Sequence, residues 1–203
     1  MTVVNLLVEG LLDETVMARV LRHVGLEVGN VYGRSGRNQL LSRLEAYNRA
    51  ARNFRWVTLI DLESDTRCTP QFARETLPLP SPCMCFRVAV RSVEAWLMAD
   101  RDGLAGFLQI PVDAIPHAPE TLVRPKLDMV NLARRSRSSR VRRDMVPRPD
   151  SGSAQGPAYT SMLQEFVAGC DRPWRPDVAA EVAQSLRRCM GAVASLATCS
   201  DLG

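Results

Sequence analysis

The sequence predicts an α/β protein built on a mostly parallel, four-stranded sheet flanked by helices and followed by a C-terminal helical segment. Four short apolar runs, each bounded by glycine, proline or acidic residues, have the length and composition of buried strands. They alternate with stretches whose apolar residues recur at helical spacing, and such alternation favours parallel strands joined by right-handed crossovers. At 203 residues and 46% hydrophobic, the chain can bury one substantial core with a smaller helical piece appended. The expected division is an α/β core over residues 1–110 and a helical C-terminal extension over 111–203 packed on it.

Val3 to Gly10 (VVNLLVEG) reads as the first strand. Asp13 to Gly25 follows as a helix, because Val16, Val20, Leu21 and Val24 fall at helical spacing and Gly25 supplies a C-terminal stop. Leu26 to Tyr32 is a second, weaker strand; Gly33 to Gly36 (GRSG) makes a loop before a helix from Arg37 to about Arg52. Trp56 to Asp65 (WVTLIDLESD) is a third strand that stops on acids. Thr69 as N-cap and Pro70 at the first helical position open a short helix toward Leu77, which Pro78 to Pro82 ends. Cys83 to Val90 is the fourth strand, and Arg91 to Asp100 (RSVEAWLMAD) runs from it into a helix. Beyond lie a helix over Asp102 to Ile110, a proline-punctuated connector, a helix from Pro125 to about Arg135, and a Pro/Gly/Ser-rich loop from Pro147 to Pro157. Two last helices follow, near Ala158 to Gly169 and Pro176 to Leu196.

No apolar run approaches the roughly 20 residues needed to span a bilayer. The first residues lead straight into a strand, without a charged n-region and an apolar h-region, so a soluble, cytoplasmic protein is expected with no membrane partner. The six cysteines form no CxxC pair, and His23 and His117 are the only histidines, which argues against zinc. Reduced, mostly buried thiols are expected, with Cys83 and Cys85 sharing one face of their strand. A net charge of +4 and a pI near 8.9 suit an anionic partner. Lys126 is the only lysine, so nearly all of that positive charge is arginine.

The chemistry is concentrated where the apolar runs end. In open α/β sheets ligands gather at the carboxyl ends of the strands, so Glu9, Asp61, Glu63 and Asp65 can converge on one point. Crowded carboxylates repel and raise one another's pKa unless a cation sits between them, and hard oxygen ligands select Mg²⁺ or Mn²⁺. Glu94, at the head of its helix, joins them if it faces the same cleft; the helix N-terminus favours its charge. Asp13 and Glu14 stand in the first turn of a helix, where the dipole accounts for them, and are placed outside the site. Trp96 is expected in the core, and Asp100 at the surface or capping the next helix.

The VEG after strand one, the D-x-E-x-D ending strand three and the helix start RSVEAWLMAD together resemble a Toprim-type domain, the Rossmann-like fold shared by topoisomerases, primases and overcoming-lysogenization-defect nucleases. More closely, the chain resembles a family of small bacterial Toprim-like proteins of unknown function, whose Pro-Lys helix and C-terminal segment match Arg124-Pro125-Lys126 and Gly156-Pro157-Ala158-Tyr159 here. The resemblance implies that Glu9 acts as general acid or base or as metal ligand, and that Asp61 and Glu63 bind Mg²⁺. The glutamate at 63 departs from the usual D-x-D, and its extra methylene moves the carboxylate by more than about 1 Å.

A metal-dependent nuclease acting on DNA or RNA is the leading expectation. Cleaving a phosphodiester requires charge stabilisation on the attacking and leaving oxygens, which two cations roughly 4 Å apart provide. In this scheme Glu9, Asp61, Glu63 and Asp65 hold metal, Glu9, Glu94 and Lys126 are catalytic, and Lys126 or nearby arginines grip phosphate. Arg134, Arg135, Arg137 and Arg140 suit a nucleic-acid backbone, although a solvated charged linker has the same composition. The resemblance adds an ATPase partner and a role in phage defence; a homodimer is compatible with it. The alternative is a non-catalytic nucleic-acid-binding or regulatory subunit on the same scaffold.

Overall fold

The computed structural model describes residues 2–63, 68–169 and 172–199; Asp65 and Cys170 lie outside these. Four parallel strands form one sheet: β1 (Val3–Val8), β2 (Glu27–Gly33), β3 (Trp56–Asp61) and β4 (Met84–Ala89), in the order β2-β1-β3-β4. The α/β class, the four parallel strands and the C-terminal helical segment are as the sequence predicts.

Side-chain alternation decides which face each strand residue covers. Val4, Leu6 and Val8 of β1, Val57 and Leu59 of β3, and Cys85 and Ala89 of β4 enter one core, together with α1 (Leu11–His23) and the helices of the second half. Leu7, Trp56, Ile60, Met84, Phe86 and Val88 point the other way, into a smaller core with Leu40 and Leu44 of α2 (Arg37–Ala50) and Phe72 of α3 (Thr69–Thr76). Helix α1 therefore covers one face while α2 and α3 cover the other, and the winding reverses between β1 and β3. That reversal opens a crevice at the carboxyl ends of these two central strands. Gly33, with φ +91° beside the Val8 carbonyl, has no room for a side chain. It lets the GRSG loop close onto β1, where Arg34 N–H donates to Val8 O and Gly36 N–H to Glu9 O.

The second half contributes α4 (Val93–Ala99), α5 (Arg101–Leu108), α6 (Pro125–Arg134), α7 (Ser139–Met145), α8 (Tyr159–Ala168), α9 (Pro176–Val182) and α10 (Gln184–Ala194), with 3-10 turns between them. All seven residues of α4 are buried, Trp96 among them. The arginine-rich stretch is partly helical: α7 buries Val141 and Met145, one turn apart, and Ser138 Oγ caps it by accepting from Val141 N–H. The single final helix expected from Pro176 to Leu196 is broken at Ala183, because the Glu120 carboxylate accepts the Gln184 and Ser185 N–H groups and starts a new helix there. Asp100 is fully buried. It caps α5 through Gly103 N–H and pairs with Arg175, so it caps as expected but does not face solvent.

The cysteines depart from a wholly reduced set. Cys83 and Cys199 form a disulfide, with Cα atoms 5.9 Å apart, that ties the C-terminal 3-10 turn to the start of β4. Among the described residues Cys68 is free and exposed, and Cys85 and Cys189 are free and buried. No helix among the described residues is long and apolar enough to cross a membrane.

Candidate functional site

Glu9 leaves β1 as Asp61 ends β3, and the parallel register sets them side by side: Glu9 Oε1 accepts the Asp61 backbone N–H at 3.0 Å. Asp61 is buried and fixed from every side. Its carbonyl accepts from Arg37 Nη1 of α2 at 2.7 Å, its Oδ1 accepts the Val93 N–H at the start of α4 at 3.1 Å, and Lys126 Nζ of α6 stands 3.1 Å from its Oδ2. One residue thus joins the sheet to α2, α4 and the helical extension.

A cleft of about 470 Å³ opens over this point, lined by Glu9, Asp13, Asp61, Glu94, Lys126 and Tyr159 among others. Asp13 is buried, and its Oδ2 accepts the Gly10 N–H at 2.8 Å. Glu94 is buried with one oxygen, Oε1, accepting from the Tyr159 hydroxyl at 3.3 Å; the other, Oε2, has no hydrogen-bond partner among the described residues. Glu63 sits at the rim, 3.4 Å from Lys126 Nζ and 3.9 Å from Arg37.

Burial and mutual repulsion act together here. Burial pushes the Asp13 carboxyl up to about 7, helped by the charges of Glu9 and Glu94. Burial also raises Asp61 well above the ordinary carboxylate value, with Asp13 and Glu94 adding to it and Lys126 opposing. Glu9 is raised by burial, partly offset by the Asp61 N–H. For Lys126 burial works against the ammonium, but Asp61 and Glu94 outweigh it and raise its pKa. The Tyr159 phenol is held neutral by burial and by Glu94. Among the described residues the lining of the cleft carries four carboxylates, Glu9, Asp13, Asp61 and Glu94, and one ammonium, Lys126.

Of the residues the sequence singled out, Glu9, Asp61, Glu94 and Lys126 come together, Glu63 lies beside them, and Asp65 falls outside the described residues. Arg134, Arg135, Arg137 and Arg140 line none of this cleft. Arg134 donates to Asn131, Arg140 makes a two-pronged pair with Glu165, and all four are exposed. Asp13 was missed, although Asp13, Val16, Met17, Val20 and Leu21 share one buried helical stripe, so its spacing already placed it inward. Glu14 does face outward and pairs with Arg34. Tyr159 and Arg37 join the site through contacts across the fold that no local pattern reveals.

Four hard-oxygen side chains around one cleft, one of them Glu94 with a buried oxygen that has no partner among the described residues, are of the donor type that Mg²⁺ or Mn²⁺ takes. Among the described residues no three His, Cys, Asp or Glu side chains stand close enough together to hold a metal ion in this geometry, and Lys126 occupies the position beside Asp61 Oδ2. No protein-family model matches the chain, and no curated protein and no solved structure matches it.

Proposed function

We propose that the chain is a Toprim-like, divalent-metal-dependent nuclease that hydrolyses phosphodiesters of DNA or RNA in the cytoplasm, together with a partner ATPase in phage defence. The observation that supports this most is the gathering of Glu9, Asp13, Asp61 and Glu94 around Lys126 at the winding reversal, with one buried Glu94 oxygen unpaired among the described residues. In this scheme Lys126 yields Asp61 Oδ2 to Mg²⁺ or Mn²⁺, and Glu9, Asp13 and Asp61, which stand too far apart to hold the ion in the present geometry, draw together on it with Glu63 and Glu94 beside them. The metal would lower the pKa of a bound water and offset charge on the attacking and leaving oxygens. Lys126 neutralises a non-bridging phosphate oxygen. Tyr159 positions Glu94 for proton transfer. Arg37, held by the Asp61 carbonyl, keeps positive charge at the rim.

The glutamate at 63 favours a second reading, a non-catalytic nucleic-acid-binding subunit, because that side chain stands half exposed at the rim and pairs with Lys126. The test is cleavage of single- and double-stranded DNA and RNA with Mn²⁺, with and without an ATPase encoded beside it. Wild type is compared with Glu9→Ala and Asp61→Ala, each checked for fold by circular dichroism. Activity that chelator abolishes and both substitutions remove supports hydrolysis. A folded wild type that binds nucleic acid in chelator and cleaves nothing in any arm overturns it in favour of the binding subunit.

A further inference from the structure

A second cleft of about 480 Å³ adjoins the carboxylate site and shares Lys126, Ala154 and Gln155 with it. Its size falls within the range of about 300–1,000 Å³ common to small-molecule sites. Its walls differ from those of its neighbour. Val123 and Leu127 line it, and they are 76% and 41% exposed, two apolar side chains left open to water on either side of Pro125 and Lys126. Arg91 and Arg124 stand with them, so an apolar surface meets positive charge next to the place where phosphate would lie.

Ser92 also lines this cleft. It occupies the N-cap position of α4, where a serine ordinarily accepts a backbone N–H, yet it makes no cap hydrogen bond. The Ala95 N–H, which the side chain would accept, goes to the Ser92 backbone carbonyl instead, and the Val93 N–H goes to Asp61. Ser92 is 2% exposed and its Oγ has no partner among the described residues. A buried hydroxyl left unpaired destabilises a fold, so a ligand that satisfies it recovers that loss. The backbone on both sides of the cleft is also held out of the ordinary. Glu63 and Arg91 take left-handed conformations, with φ +52° and +53°, locked together by Glu63 N–H to Arg91 O at 2.7 Å and Arg91 Nη1 to Glu63 O at 2.9 Å. Non-glycine residues in that region persist where surrounding structure holds them, often at ligand clamps.

We propose that this cleft binds the nucleoside flanking the phosphate held over the carboxylates, an inference that rests on the nuclease function proposed above. Val123 and Leu127 pack against the face of the base, Ser92 Oγ hydrogen-bonds the sugar or base edge, and Arg91, Arg124 and Lys126 balance the phosphate charge. The ligand class is a nucleoside 5′-phosphate, either free or as one unit of a strand.

Titration calorimetry with the four deoxynucleoside 5′-monophosphates, in Mn²⁺ and again in chelator, tests it against inorganic phosphate. The variants are Ser92→Ala and the double Val123→Ser/Leu127→Ser. Wild type is expected to bind at least one mononucleotide more tightly than phosphate. The double variant should weaken that binding about tenfold or more, since it forfeits burial of two apolar side chains. Ser92→Ala should weaken it about threefold to tenfold with a melting temperature equal to or above wild type, because no cap is lost. Phosphate binding should be unchanged in both. A tetranucleotide that binds more tightly than the monomer assigns the cleft to a strand; equal affinity assigns it to free nucleotide. Mononucleotides that bind no better than phosphate, or variants that bind them as wild type does, overturn the proposal. Weakened binding in the variants of a protein that cleaves nothing keeps the nucleoside site and removes hydrolysis; intact cleavage with unaltered binding does the reverse.

Discussion

Replacing Asp13 by asparagine should stabilise the metal-free protein at alkaline pH and remove its stabilisation by Mg²⁺. Burial and the charges of Glu9 and Glu94 raise this carboxyl from 3.8 to about 7. Below about 4 both folded and unfolded chains carry the proton and the residue is neutral in effect. As pH rises from there to about 7 the folded state retains a proton that the unfolded state releases, so stability falls with pH, and above about 7 the loss is complete. At about 1.4 kcal/mol for each pH unit crossed the ceiling is about 4 kcal/mol. Asparagine keeps an acceptor for the Gly10 N–H that Oδ2 now receives at 2.8 Å, so the charge is removed with little structural loss. Taking half the ceiling, Asp13→Asn should exceed wild type by about 2 kcal/mol at pH 8, about 4–8 °C in melting temperature for a chain of this size, and match it at pH 4. Urea denaturation in chelator at both pH values measures this. Millimolar Mg²⁺ should raise the wild-type midpoint and leave the variant nearly unmoved. A variant less stable than wild type at pH 8 in chelator, or one that responds equally to Mg²⁺, would refute the placement of an ionisable Asp13 in a metal-seeking cluster.

Reducing the Cys83–Cys199 disulfide, or replacing both residues by serine, should lower stability by about 2–4 kcal/mol; thiol labelling before and after dithiothreitol, with mass spectrometry, checks that the bond is present. Glu120→Ala should cost about 1–3 kcal/mol by chemical denaturation, because the Gln184 and Ser185 N–H groups lose their acceptor; a change below about 0.5 kcal/mol would show that water replaces it. Substituting Arg134, Arg135 and Arg137 together by alanine should flatten the salt dependence of nucleic-acid binding by about two to three phosphate contacts. Arg140→Ala should change it far less, since that guanidinium already pairs with Glu165. An unaltered slope in the triple variant would exclude these arginines from the interface.

The sheet and its acidic ends were legible because burial of a parallel strand on both faces demands continuous apolar runs, and VVNLLV, WVTLID and MCFRVA supply them. Glu9 and Asp61 followed from those ends. What local pattern does not carry is contact between distant segments. The break at Ala183 depends on Glu120, more than 60 residues earlier, and the partner of Cys83 lies 116 residues away. Helix α7 has only Val141 and Met145 as its apolar face, too little periodicity to stand out from six arginines between 134 and 143. Asp13 is the instructive miss. Dipole complementarity explains an aspartate in a first helical turn, yet that same turn placed it on the apolar stripe, and a carboxylate on a buried stripe requires a further explanation.

Asp61 ties four parts of the fold together through four polar atoms, and the proposed chemistry uses two of the same atoms. Its N–H orders Glu9, its carbonyl holds Arg37, Oδ1 receives the first N–H of α4, and Oδ2 faces Lys126. Alanine at this position leaves the two backbone contacts in place but strands the Val93 N–H at the head of α4, while Lys126, 44% exposed, keeps Glu63 and water. If the proposed nuclease activity holds, lost cleavage in Asp61→Ala would therefore have two origins, displacement of α4 with Glu94 and Ser92 on it, and loss of a metal ligand. Glu9 is different, since its carboxylate takes one backbone N–H and anchors no helix. Glu9→Gln preserves that acceptor and removes only the charge, so the chemistry of the cleft is read more cleanly from Glu9 than from Asp61, even though Asp61 is the better-held residue.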